Sequence, residues 1–197
     1  ELPNRKNFIE WFNINYKDYT AKKGSMKSGE KESFGFKLFT HQKMVRDFLN
    51  SNSPYRGLIL FHGLGVGKTC ASISIAEAFR TDRNILILLN KSLKQNYIVN
   101  LLKCGYNYYR LNQNWVFHRF IDNDIMLKYA KRLKIPEKML KKNRGAWFVN
   151  YETDIPNYDS LNGVEKDSLN EQIRSMIDSK YEFIHLDGLN KGKIESM

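Results

Sequence analysis

The sequence predicts an α/β fold, a three-layer lobe with a mainly parallel sheet, and three observations predict it. Two continuous apolar segments, Gly57–His62 and Asn84–Leu89, read as short strands covered on both faces. Each is followed by a segment of helical periodicity, so strand and helix alternate in the order of a right-handed βαβ structure. A glycine-rich turn, Gly63–Gly67, joins the first apolar run to its helix.

The elements follow in order. Residues 1–33 form a peripheral N-terminal segment and linker. Phe8, Ile9, Trp11 and Phe12 offer an apolar cluster that can dock on a core, and Ala21–Ser33 is polar and Gly/Ser/Lys-rich. Residues 36–50 hold an amphipathic helix with Met44, Val45, Phe48 and Leu49 on one face and Thr40 as its N-cap. A helix runs from about Lys68 to Phe79. Ser92 caps another, whose face carries Leu93, Tyr97, Leu101 and Leu102. Between residues 104 and 150 the pattern predicts strands at Tyr106–Arg110, Trp115–Phe117 and Trp147–Tyr151. Met126–Leu133 reads as a helix, and Pro136 opens a second. Leu169, Ile173, Met176 and Ile177 mark a further helix, and Glu182–Leu186 a last strand.

The 197 residues are 42% hydrophobic and 27% charged, enough for one packed domain. No apolar run approaches the roughly 20 residues of a membrane-spanning helix, so no membrane partner is expected. The chain opens on Glu1 with no signal-like core, and reads as a fragment of a longer intracellular protein. Lys and Arg number 32 against 21 Asp and Glu, a net charge of +11 that favours a polyanionic partner such as nucleic acid or nucleotide. Cys70 and Cys104 form no CxxC pair and read as reduced thiols.

The chemistry concentrates at Phe61–Cys70, FHGLGVGKTC. Glycines let a backbone turn its N–H groups inward around phosphate oxygens, and the helix that follows adds its free N–H groups and positive end. The candidate nucleotide-binding residues are Gly63, Leu64, Gly65, Val66, Gly67, Lys68, Thr69 and Cys70. Lys68 and Thr69 are the catalytic candidates: Lys68 reaches the β and γ phosphates, and the Thr69 hydroxyl takes one position on Mg²⁺. The pattern G-x-x-x-x-G-K-[ST] is met except at its first position, where His62 stands. His62 reads as a satisfied histidine at a strand end.

At these residues the chain resembles superfamily II helicases, most closely the helicase-like NTPases of large nucleocytoplasmic DNA viruses, a group that includes poxvirus transcription ATPases. FKLFTHQ is similar to the L-x-x-H-Q element, which implies that Gln42 reads adenine with Phe36 or Phe39 nearby. HGLGVGKTC resembles motif I. ILILLNKSLKQNYIVNLLK resembles motif Ia, which implies that Lys91, Ser92 and Gln95 face a nucleic-acid strand. FIHLDGLNK is similar to the segment before motif II. The resemblance implies a partial RecA-like, P-loop NTPase lobe over 34–197 with a basic insertion around 104–150, ending before motif II. It further implies ATP and Mg²⁺ as cofactors, nucleic acid (DNA or RNA) as partner, and a second helicase lobe outside this chain. Viral transcription machinery in host cytoplasm or virion is the implied setting. The competing reading is a P-loop scaffold or transcription-factor subunit that binds nucleotide and unwinds nothing.

A metal-site carboxylate is not evident, since no D-E-x-H string is present. Asp187 ends an apolar run and reads as a turn or cap residue in preference to a metal ligand. Without that carboxylate the chain alone is expected to hydrolyse ATP barely or not at all. From Lys128 to Arg144 eight basic residues stand against Glu137, either a phosphate-binding surface or a solvated face. Aromatic interleaving is thin here, with Tyr129 and Trp147 only, so base stacking is not the main expectation. Cys70 reads as a small core residue, or as a thiol activated by its helix end.

Overall fold

The computed structural model describes residues 4–20, 37–49, 54–61, 63, 65–79, 83–189 and 192. Phe36, His62, Leu64 and the expected linker 21–33 lie outside them. Among the described residues the strands form two pairs. β1 (Ile85–Leu89) and β4 (Tyr181–His185) run parallel, with Ile85 opposite Tyr181 and Leu89 opposite His185. β2 (Trp115–Arg119) and β3 (Gly145–Val149) run antiparallel, with Trp115 opposite Val149. The fold is thus α/β, with one parallel and one antiparallel strand pair among the described residues in place of a mainly parallel sheet.

Helices α1 (Phe8–Asn15) and α2 (Lys17–Thr20) precede α3 (Thr40–Phe48). The aromatic face of α1 docks as its composition suggests. Phe12 packs edge-on against Phe48 at 6.0 Å and Trp11 lies 6.3 Å from Tyr55, while Ile9 stays exposed. The Tyr19 hydroxyl donates to the Asp47 carboxylate, which Arg46 also pairs at 2.7 Å. Burial disfavours the Asp47 charge, yet these two donors outweigh it and hold the carboxyl below its usual range.

The main core sits elsewhere. α5 (Lys94–Cys104), α6 (Asn123–Leu133), α7 (Glu137–Asn143) and α8 (Gly163–Asp178) enclose Leu101, Trp115, Leu140, Leu169 and Ile173, all buried. The stretch read as an insertion therefore carries much of the packed interior. Its two-stranded sheet has both outer edges closed by side-chain amides. Gln172 accepts the Trp147 N–H and donates to the Trp147 carbonyl, both at 2.8 Å. Asn157 does the same for Trp115, at 2.7 and 2.8 Å. Each amide presents a donor and an acceptor side by side, as a neighbouring strand would.

Several sequence expectations change. Residues 57–61 form no strand: the segment has no ladder partner, and Ile59 and Phe61 are 90% and 97% exposed. An apolar run becomes a strand only by pairing, and β1 takes its partner from β4. Tyr106–Arg110 holds a 3-10 turn at Asn107–Tyr109, whose Tyr109 ring is buried. Phe39 precedes α3 as its N-cap, so Thr40 is the first helical residue. Ser92 lies inside a 3-10 turn, Lys91–Leu93, that leads into α5. Cys70 and Cys104 are not reduced thiols. α4 (Lys68–Ala78) and α5 bring their Cα atoms within 5.8 Å, and the sulfurs are bonded.

Candidate nucleotide and nucleic-acid site

The glycine loop reaches α4 through two residues in the left-handed region, Gly65 at φ 75° and Gly67 at φ 78°. A side chain at either would be strained, so the alternation of glycines has a backbone cause. Gly67 forms the N-cap of α4, and its carbonyl accepts the Ala71 N–H at 3.0 Å. The first N–H groups of an α-helix have no intrahelical acceptor, so α4 begins as a natural anion site. A Cβ at Gly63 or Gly65 would meet nothing within 4 Å, so the loop borders open space there. The Lys68 ammonium donates to the Gly63 carbonyl at 2.9 Å, so the cation bends back across the loop. These features fit a bound polyphosphate. Thr69, half-buried, is the second residue of the same helix.

The loop is braced from α3. The His41 ring donates from Nε2 to the Val66 carbonyl at 3.1 Å. Gln42 donates from Nε2 to the Gly67 carbonyl at 3.0 Å and accepts the Phe39 N–H on Oε1 at 2.9 Å. Gln42 is only 1% exposed, and its carbonyl oxygen and one amide hydrogen are engaged within the protein. The family resemblance implies an adenine contact for Gln42 and assigns His41 no role. The signal for His41 was the histidine of the L-x-x-H-Q string itself. The Phe39 ring is 60% exposed and stacks on His41 at 5.6 Å, beside the braced loop.

α4 is tied to the rest of the lobe at two further points. Tyr181 at the start of β4 donates to Glu77 at 2.6 Å. Burial, and then the adjacent Glu77 charge, push the Tyr181 phenol far above its ordinary range, so it stays a donor. Cys70 holds α4 to α5 through its sulfur, so only its backbone N–H is offered to the loop.

Lys91, Ser92 and Gln95 form an exposed run just beyond the C-terminal end of β1. Asp187, beyond the end of β4, accepts the Lys91 N–H at 3.2 Å. It thereby caps the turn that presents these residues and links the two strand ends. The eight basic side chains from Lys128 to Arg144 are all exposed. Lys141 pairs with Glu137 at 3.7 Å and Lys142 with Glu171 at 3.5 Å. Lys134 and Arg144 end α6 and α7 in the left-handed conformation.

Two positive-φ glycines feeding a helix that starts on a lysine make the form of a phosphate-binding loop. Comparison with known proteins gives that form its relatives, which are named as helicases of large nucleocytoplasmic DNA viruses. The chain is 33% identical over 149 residues to an Acanthamoeba polyphaga mimivirus protein named "Putative ATP-dependent RNA helicase", covering 72% of this chain and 12% of that protein. A second mimivirus protein of the same description is 26% identical over 156 residues, 73% of this chain and 26% of its own length. A "Putative helicase" of Frog virus 3 is 40% identical over 72 residues, 34% of this chain and 8% of that protein. The chain thus spans about an eighth and a quarter of the two mimivirus relatives. No family model matches the chain, and no solved structure does. Among the described residues no helix is long and apolar enough to cross a membrane.

Proposed function

We propose that this chain is the ATP-binding, RecA-like lobe of a nucleic-acid-dependent ATPase of the helicase kind. The observation that carries the reading is the braced loop, with positive-φ Gly65 and Gly67, the start of α4, and Lys68 folded across it. In this reading the loop N–H groups and Lys68 hold the β and γ phosphates of ATP, and Lys68 exchanges its Gly63 carbonyl for phosphate oxygen. Mg²⁺, when bound, supplies charge neutralisation between phosphate oxygens, with Thr69 as its ligand from this chain. His41 and Gln42 position the loop. An adenine contact by Gln42 would use its remaining amide hydrogen. Lys91, Ser92 and Gln95 contact the nucleic-acid strand, and the mimivirus relatives' names point to RNA as that strand.

Within these residues Asp187 is engaged as a cap and no D-E-x-H string occurs. The chain by itself is therefore expected to bind ATP and to turn it over near background. The experiment is steady-state phosphate release with and without oligo(U), for wild type and Lys68→Ala. Robust turnover that disappears in Lys68→Ala would place the catalytic carboxylate inside this chain. Asp187→Asn would then identify or exclude that residue. A protein that binds no adenine nucleotide at all would overturn the reading.

A further inference from the structure

A second site lies away from the glycine loop, on the antiparallel pair. A cavity of about 410 Å³ opens between β2, β3 and α6, within the range of small-ligand pockets, roughly 300–1,000 Å³. Its walls are aromatic. Phe120 stacks on Tyr129 at 5.6 Å with planes 12° apart, and Phe148 meets Tyr129 edge-on at 5.0 Å. These three rings are half-buried, and Tyr151 stands 68% exposed at the side. Arg119 and Arg132 line the same cavity, are exposed, and have no ion pair among the described residues. No carboxylate lines the cavity, and Lys128 and Lys131 on α6 add exposed positive charge nearby.

We propose that this cavity binds single-stranded nucleic acid, taking one unstacked base against its rings while Arg119 and Arg132 hold the flanking phosphates. Each nucleotide carries a flat π face beside an anionic group, and the cavity presents aromatic faces beside unpaired guanidinium groups. Aromatic stacking tolerates any base, and guanidinium pairs well with phosphate. An acidic peptide would satisfy the arginines and leave the rings without a flat partner. The site is not legible in sequence, because its rings come from residues 120, 129, 148 and 151, and Trp147 is 5% exposed in the core instead. The site rests on the nucleic-acid reading above, but it shares no residue with the Lys91–Gln95 run and lies on the other strand pair.

The test uses fluorescein-labelled oligo(dT) and oligo(U), followed by anisotropy at low salt, and the same oligonucleotides carrying 2-aminopurine. The expected result is binding that weakens about tenfold in the Arg119→Glu, Arg132→Glu double variant. Tyr151→Ala, at an exposed position that leaves the core intact, is expected to lose most of the 2-aminopurine quenching. Both variants should keep wild-type affinity for a fluorescent ATP analogue. Oligonucleotide affinity and quenching unchanged in both variants would overturn the proposal. So would displacement of the oligonucleotide by polyglutamate at equal charge, which would mark a surface that reads charge only. Failure of the nucleotide-loop reading shows separately, as nucleotide binding that ignores Lys68→Ala.

Discussion

Gln42 holds the glycine loop through its amide, a role that the adenine contact implied for it leaves out. The L-x-x-H-Q string marks it, yet a string carries no information on whether an amide faces outward to a base or inward to the backbone. Folded, Gln42 bridges the Phe39 N–H and the Gly67 carbonyl, and a Cβ at Gly67 would lie 2.5 Å from its Nε2. The glycine and the glutamine therefore constrain each other. Gly65 and Gly67 were legible as turn glycines, because a phosphate loop needs positive φ. The direction of the brace was not legible, because it depends on how α3 packs beside α4. Gln42→Ala leaves the Phe39 N–H without its acceptor, removes one of the two donors on the Gly67 carbonyl and frees the loop. Affinity should fall about tenfold for ATP and GTP alike, as read by fluorescent-nucleotide titration with competition. Loss for ATP alone would restore adenine reading as its sole role.

At the scale of elements, patterns gave the helices from α3 onward and four strands, and missed α1, α2 and the place where a run of apolar residues fails to pair. Ile85–Leu89 and Leu58–Phe61 look alike on paper, but only the first lies beside β4. Pairing is a tertiary property, so periodicity cannot supply it. The same is true of the edges of the β2–β3 sheet, closed by Asn157 and Gln172 from distant positions. Gln172→Ala leaves both the N–H and the carbonyl of Trp147 unpaired at a site only 2% exposed. The loss should be about 2–4 kcal/mol of unfolding free energy in a urea titration, whereas an equivalent change at an exposed amide such as Asn112 should be nearly silent. The Cys70–Cys104 bond is a second element-scale feature, closing a loop across 34 residues between α4 and α5. Spacing without a CxxC pattern could not reveal it, since the two thiols meet only once the helices pack. Reduction with dithiothreitol should lower stability by about 3–4 kcal/mol. A double Cys→Ser variant whose stability ignores reductant is the matching control.

For the molecule as a whole, the α/β class and the glycine turn that feeds a helix were legible, and the position of the core was not. Eight basic residues between Lys128 and Arg144 drew attention to their charge, while the interior beneath them comes from single apolar residues such as Met126, Leu133 and Leu140. The region therefore combines a packed interior with an arginine-flanked aromatic cavity on its surface. The glycine loop stands apart from that core, held by α3, by the Tyr181–Glu77 hydrogen bond and by the disulfide. Central to the account is that this loop takes the phosphates of ATP through Lys68. The direct measurement is titration of a fluorescent ATP analogue in the presence of Mg²⁺ into wild type and Lys68→Ala, with thermal melts showing both to be equally folded. Saturable binding is expected in wild type, and affinity at least about tenfold weaker in Lys68→Ala. Equal affinity in the two proteins would contradict it.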